Sequence, residues 1–104
     1  GEWILSLMEQ VIDESTANRV HSHIEEFDGT SSPPGFAAVV LLDESHLTAH
    51  CYSEKGWLSI DCFTCGSTNP SVIIDAMHSA IQEVSPGIKL EKRKTEARFT
   101  NGGV

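Results

Sequence analysis

A chain of 104 residues with 39% hydrophobic content has room for one small domain, near the lower limit of what a single core supports. Its formal charge of −8 argues against a general nucleic-acid binder, and no apolar run approaches the roughly 20 residues that span a bilayer. Three cysteines, with no basic segment or small-residue cleavage site at Gly1-Glu2-Trp3, point to reduced thiols in the cytoplasm.

Trp3 to about Ser15 reads as a helix, because Ile4, Leu7, Met8, Val11 and Ile12 recur as one apolar stripe. Asn18 falls in the turn that follows. Arg19 to Phe27 reads as a strand, with Val20 and Ile24 on one face and His21 and His23 on the other. Asp28 to Gly35 is turn and loop chemistry throughout. Phe36 to Leu42 is a continuous apolar run, which marks a strand buried on both faces or facing a partner copy. His46 to Tyr52 alternates: Leu47, Ala49 and Cys51 take one face, and His46, Thr48, His50 and Tyr52 the other. Glu54-Lys55-Gly56 is a turn, and Trp57 to Phe63 is the next strand, with Leu58, Ile60 and Cys62 on one side.

The second helix has its start and stop written into it. Asn69 caps it, Pro70 suits its first turn, and Ser85-Pro86-Gly87 ends it. Ile73, Ala76, Met77, Ala80, Ile81 and Val84 form its predicted buried stripe. Ile88 to about Arg98 reads as a last strand, carrying Lys89, Lys92, Arg93, Lys94 and Arg98, either as a solvated edge or as a contact for an anion or partner. The fold class is α+β: a two-layer sandwich in which two helices cover one face of a mainly antiparallel sheet. A second copy of the chain is the simplest cover for the other face, so a homodimer is expected.

The chemistry concentrates in Glu44-Ser45-His46-Leu47-Thr48, in His50, and in Asp61-Cys62-Phe63-Thr64-Cys65-Gly66. A serine becomes a nucleophile when a base takes its proton, and His50 is the natural base for Ser45. Five is an odd separation, so Ser45 must lie in the bend before the strand if the two are to meet. No Gly-x-Ser-x-Gly elbow surrounds Ser45. Cys62 and Cys65 are spaced as in zinc or redox pairs, but no second ligand pair accompanies them, so Cys62 is read as a core thiol and Cys65 as free to act separately. His21 and His23 have metal-ligand spacing and no acidic or thiol partner to match, so no metal is assigned.

This ordered set resembles the prokaryotic S-adenosylmethionine decarboxylases, which make their own pyruvoyl cofactor, and the likeness runs from about Leu7 to about Arg98. The resemblance implies that Ser45 attacks the carbonyl of Glu44 and turns the peptide bond into an ester. Elimination then leaves residues 1–44 and residues 45–104, with a pyruvoyl group derived from Ser45. That carbonyl condenses with the substrate amine and takes up electrons as carbon dioxide leaves. The same resemblance gives His50 the proton movement during elimination, Cys65 the return of a proton to the substrate, and Glu54 the ribose hydroxyls. His46 matches the motif without a role.

Three departures accompany the likeness. Gly35-Phe36-Ala37-Ala38-Val39 has Ala37 where the family carries a serine whose hydroxyl assists self-cleavage. The family's adenine-stacking aromatic has only Phe27 and Phe36 as candidates, and the family's first strand has no counterpart here. The resemblance thus implies a decarboxylase of S-adenosylmethionine that supplies the aminopropyl donor for spermidine. The alternatives are a pyruvoyl decarboxylase of another amino acid such as ornithine or arginine, with Glu25, Glu26 and Asp28 as cation contacts, and an uncleaved non-catalytic homologue.

Overall fold

The computed structural model describes residues 1–43, 45–64, 69–89 and 93. The elements follow in the order α1 (Glu2–Asp13), β1 (Arg19–Phe27), β2 (Gly35–Leu42), β3 (His46–Tyr52), β4 (Trp57–Phe63) and α2 (Pro70–Val84). The strands form one antiparallel sheet in sequential order, β1-β2-β3-β4. Sequential order is what short links between antiparallel strands permit. The expected α+β architecture is the one observed.

The alternation of side chains turns the register into two faces. Ile24, Ala38, Ala49 and Ile60 lie abreast on one face, as do Ser22, Val40, Leu47 and Cys62. Against this face pack Ile4, Met8, Val11 and Ile12 of α1 and Ile73, Met77 and Ile81 of α2, forming one core. Both helices therefore cover the same side. The opposite side presents Glu25, Ala37, His50 and Ser59 in one row and His23, Val39, Thr48 and Asp61 in the next. Among the described residues nothing covers it, so β2 is buried at Ala38, Val40 and Leu42 and only half-buried at Ala37 and Val39.

The ends of the elements have local causes. Asn69 caps α2 by accepting the Ser71 N–H at 2.9 Å. α1 stops at Asp13, earlier than the periodicity suggests, because the Ser15 hydroxyl bonds back to Ile12 O at 2.6 Å and accepts the Ala17 N–H. Arg19 then ties β1 to α1 through Glu9 at 2.8 Å and Asp13 at 3.0 Å. Val20 does not share a buried face with Ile24: the register shifts between Arg19 and His21, and the extra residue stands 61% exposed. In α2 the buried row is narrower than the apolar pattern, with Ala76 and Val84 both exposed. Ile88 and Lys89 belong to no strand, and apart from Arg93 the rest of the expected last strand lies outside the described residues. Arg93 pairs with Asp75 of α2 at 2.6 Å, so this basic residue has a carboxylate partner within the chain.

Gly35 is required by close approach. It pairs with Tyr52, and a Cβ there would collide with the backbone carbonyl of Cys51. Gly35→Ala is expected to force β2 from β3 and to lower stability by about 1–3 kcal/mol, read as a fall in the urea midpoint at constant slope.

Candidate functional site

Ser45 sits where the chain re-enters the sheet. The Leu42 N–H donates to Ser45 O at 2.9 Å, so Leu42 and Ser45 bracket the connection between β2 and β3. Asn18 holds that connection from the α1 side, donating from Nδ2 to Asp43 Oδ2 at 3.1 Å. Ser45 is half-buried and precedes the first strand residue, as its parity with His50 requires. Glu44 lies outside the described residues.

The bend does not bring Ser45 to His50. β3 is paired without a break from His46 to Tyr52 on both sides, so it is fully extended. Five residues at the rise of a strand place the two Cα atoms about 17 Å apart, well beyond the combined reach of a serine and a histidine side chain. His50 is exposed on the open face, with Ala37 and Ser59 as its two cross-strand neighbours. The position where the family hydroxyl is missing is therefore beside the histidine, and Ser59 brings a hydroxyl to its other flank.

The candidate residues thus divide between the two ends of one face. At the Ser45 end lie His46, Phe63 and the buried Thr64, and the next residue, Cys65, lies outside the described residues. At the other end, beyond His50, Tyr52 and Trp57 pair across β3 and β4, with Glu54 in the turn between them. Pro33, Pro34, Tyr52, Glu54, Lys55 and Trp57 line an open cleft of about 400 Å³. The Lys55 ammonium stands 4.6 Å from the Trp57 ring centroid. Phe27 shares the open-face row of Gly35, Tyr52 and Trp57, whereas Phe36 packs against the core on the helix side. Tyr52 and Trp57 are two further exposed aromatics, and the alternation of β3 in the sequence already puts Tyr52 on the face of His50.

The remaining candidates behave differently. His23 and Glu25 bond to each other at 3.1 Å, and Asp28 accepts from the Thr30 hydroxyl and N–H, which hold its carboxyl below its ordinary range. Glu25 and Glu26 alternate faces, so the three acids do not converge on one cation. Among the described residues no group of three His, Cys, Asp or Glu is arranged to hold a metal ion. Cys62 lies on the helix side, packed against the core, and burial followed by the neighbouring Asp61 charge pushes its thiol up to about 11. It stays protonated at neutral pH. Alkylation of Cys62 with iodoacetamide at pH 8 is therefore expected to run about 100-fold slower than for an ordinary thiol, with the thiolate emerging only as the pH rises towards 11. Mass mapping of the labelled peptide measures this, and rapid labelling at pH 8 would return Cys62 to the list of reactive thiols.

A model of the S-adenosylmethionine decarboxylase family matches residues 1–94. An S-adenosylmethionine decarboxylase proenzyme 2 of Bacillus cereus is 41% identical over 78 residues, covering 74% of this chain and 60% of that protein. The proenzyme of Bacillus velezensis is 45% identical over 56 residues, covering 50% of this chain and 44% of its own. That of Archaeoglobus fulgidus is 35% identical over 68 residues, covering 65% and 57%. The chain therefore spans between 44% and 60% of the length of these three relatives.

Proposed function

This chain belongs to the S-adenosylmethionine decarboxylase family, and from that premise we propose that it cuts itself between Glu44 and Ser45 to become a pyruvoyl-dependent decarboxylase. We propose S-adenosylmethionine as its substrate and the cytoplasm as its compartment, with decarboxylated product passing on as the aminopropyl donor for spermidine. The observation that carries this reading is the place of Ser45, a hydroxyl residue fixed by the Leu42 N–H at the point where a tight connection enters a rigid strand.

Self-cleavage needs the Ser45 oxygen on the Glu44 carbonyl, then loss of the Ser45 α-proton as the new ester breaks. The peptide bond is exchanged for an ester, the ester for a carboxylate and an unsaturated residue, and water then replaces that residue's nitrogen, which leaves as ammonia. The resulting pyruvoyl group at residue 45 supplies the electron sink for decarboxylation. The residues present suit such a group: it would need only Ser45, its anchoring carbonyl and a proton carrier, and no dedicated cation site. Cys65, two residues beyond the end of β4, is proposed as the donor that protonates the substrate carbon after carbon dioxide leaves. Tyr52, Trp57 and Glu54 are proposed to hold the nucleoside, the rings by stacking and the carboxylate by accepting from the ribose hydroxyls.

His50 belongs to this machinery only if it comes from a second copy. The two ends of the open face carry complementary parts, the Ser45 connection at one and His50 with the aromatic cleft at the other. A two-fold axis lying between two such faces and crossing β3 near Thr48 would exchange its ends, setting His50 of one copy over the Ser45 end of the other. Sheets packed face to face stand about 10 Å apart, a gap that side chains from both can close. The homodimer is thus proposed as a requirement of the chemistry, and Ser59 as the hydroxyl beside His50 that stands in for the one absent at Ala37.

Co-expression tests this arrangement. Ser45→Ala and His50→Ala chains are each expected to stay uncut when made alone. Made together, the His50→Ala chain should be cut, because its intact Ser45 meets the histidine of the other copy. Placing Ser59→Ala on the histidine-bearing chain should slow that rescue. Absence of any rescue would contradict the shared site.

A further inference from the structure

His46 follows Ser45 directly, and the cleavage and decarboxylation steps leave it unused. Its Nε2 lies 2.8 Å from Asp61 Oδ2 across the β3–β4 pair, and its ring rests at 5.8 Å from that of Phe63, tilted by 37°. A carboxylate only accepts, so Nε2 is the donor, and the bond fixes both the tautomer and the plane of the ring. The pair is half out of water, with side-chain exposures of 31% for His46 and 50% for Asp61. As a source of fold stability it resembles an ordinary exposed cross-strand contact. Its position gives it a second use.

We propose that Asp61, acting through His46, is a positioning residue for Ser45; this rests on the self-cleavage reading above. The connection that carries the scissile bond is held at Asp43 by Asn18 and at its return by the Leu42 N–H on Ser45 O. His46–Asp61 adds a third hold, immediately on the far side of Ser45. While the chain is whole it restricts the twist of residue 45, and so the approach of its hydroxyl to the preceding carbonyl. Once the chain is cut, residue 45 becomes a chain end, and chain ends fray unless tied down. Among the ties that remain, beside the strand pairing of His46 itself, are the main-chain bond from Leu42 and the imidazole clasped by Asp61 on β4. Reactive geometry is sensitive at this level, since a misplacement of about an ångström costs about a hundredfold in rate.

The test follows cleavage of the full chain with time after cell-free synthesis, on a denaturing gel. Asp61→Ala and His46→Gln are each expected to slow cleavage by about tenfold or more. The double variant should be no slower than the slower single one, the signature of two residues acting as a unit. Asp61→Asn keeps an acceptor oxygen for Nε2 and should recover most of the rate. In the uncut Ser45→Ala background, Asp61→Ala should leave the urea midpoint nearly unchanged, which separates positioning from folding. The cut enzyme carrying Asp61→Ala should lose kcat with little change in KM. Cleavage of Asp61→Ala at the parent rate, additive single effects, or slowing matched by a fall in the urea midpoint would each overturn the proposal. A parent chain that stays whole would instead overturn the self-cleavage reading on which it stands.

Discussion

β3 is hydrogen-bonded on both sides from His46 to Tyr52 without a bulge, and the arrangement of the whole molecule depends on that regularity. Its odd residues Leu47 and Ala49 are fully buried beneath the helices, and its even residues stand on the open side. A slip of one residue would send Leu47 and Ala49 into solvent and turn His46 and His50 into the core. Close packing of Met8, Ile12, Ile73 and Met77 against Val40 and Leu47 makes that slip costly, so the core holds the open-face chemistry in register. The same rigidity sets the distance between Ser45 and His50, and that distance makes the case for a site shared between two copies.

Much of the fold was legible in the sequence because local signals agreed with the tertiary outcome. Asn69 and Pro70 start α2, Ser85 to Gly87 end it, and the alternation from His46 to Tyr52 is the alternation observed. Misreadings occurred where one residue answers to a neighbour rather than to its own pattern. Val20 is displaced by the shift beside Arg19, which reaches back to α1. Ala76 and Val84 lie on the apolar side of α2 in sequence but outside the narrow row that meets the sheet.

The candidate site was legible as a list of residues and not as an arrangement. Spacing along the chain singled out Ser45, His50, Glu54 and Cys65, but a one-dimensional spacing of five does not reveal that an unbroken strand holds its ends far apart. Phe27 and Phe36 were both candidates in sequence, Phe27 only if the proline-containing loop is an insertion, and register separates them: one faces the open side and the other the core. Tyr52 and Trp57 gained meaning only when the hairpin placed them side by side around Glu54. Ala37, which looked like a lost function, turns out to flank His50 opposite Ser59.

Self-cleavage at Ser45, leaving a carbonyl there, is the proposed step on which the rest of the chemistry depends. The most direct measurement is the intact mass of the purified protein under denaturing conditions, before and after borohydride reduction. Two fragments, residues 1–44 and 45–104, are expected, with the larger gaining the mass of two hydrogens on reduction. A single chain of unchanged mass, stable over days, would contradict self-cleavage.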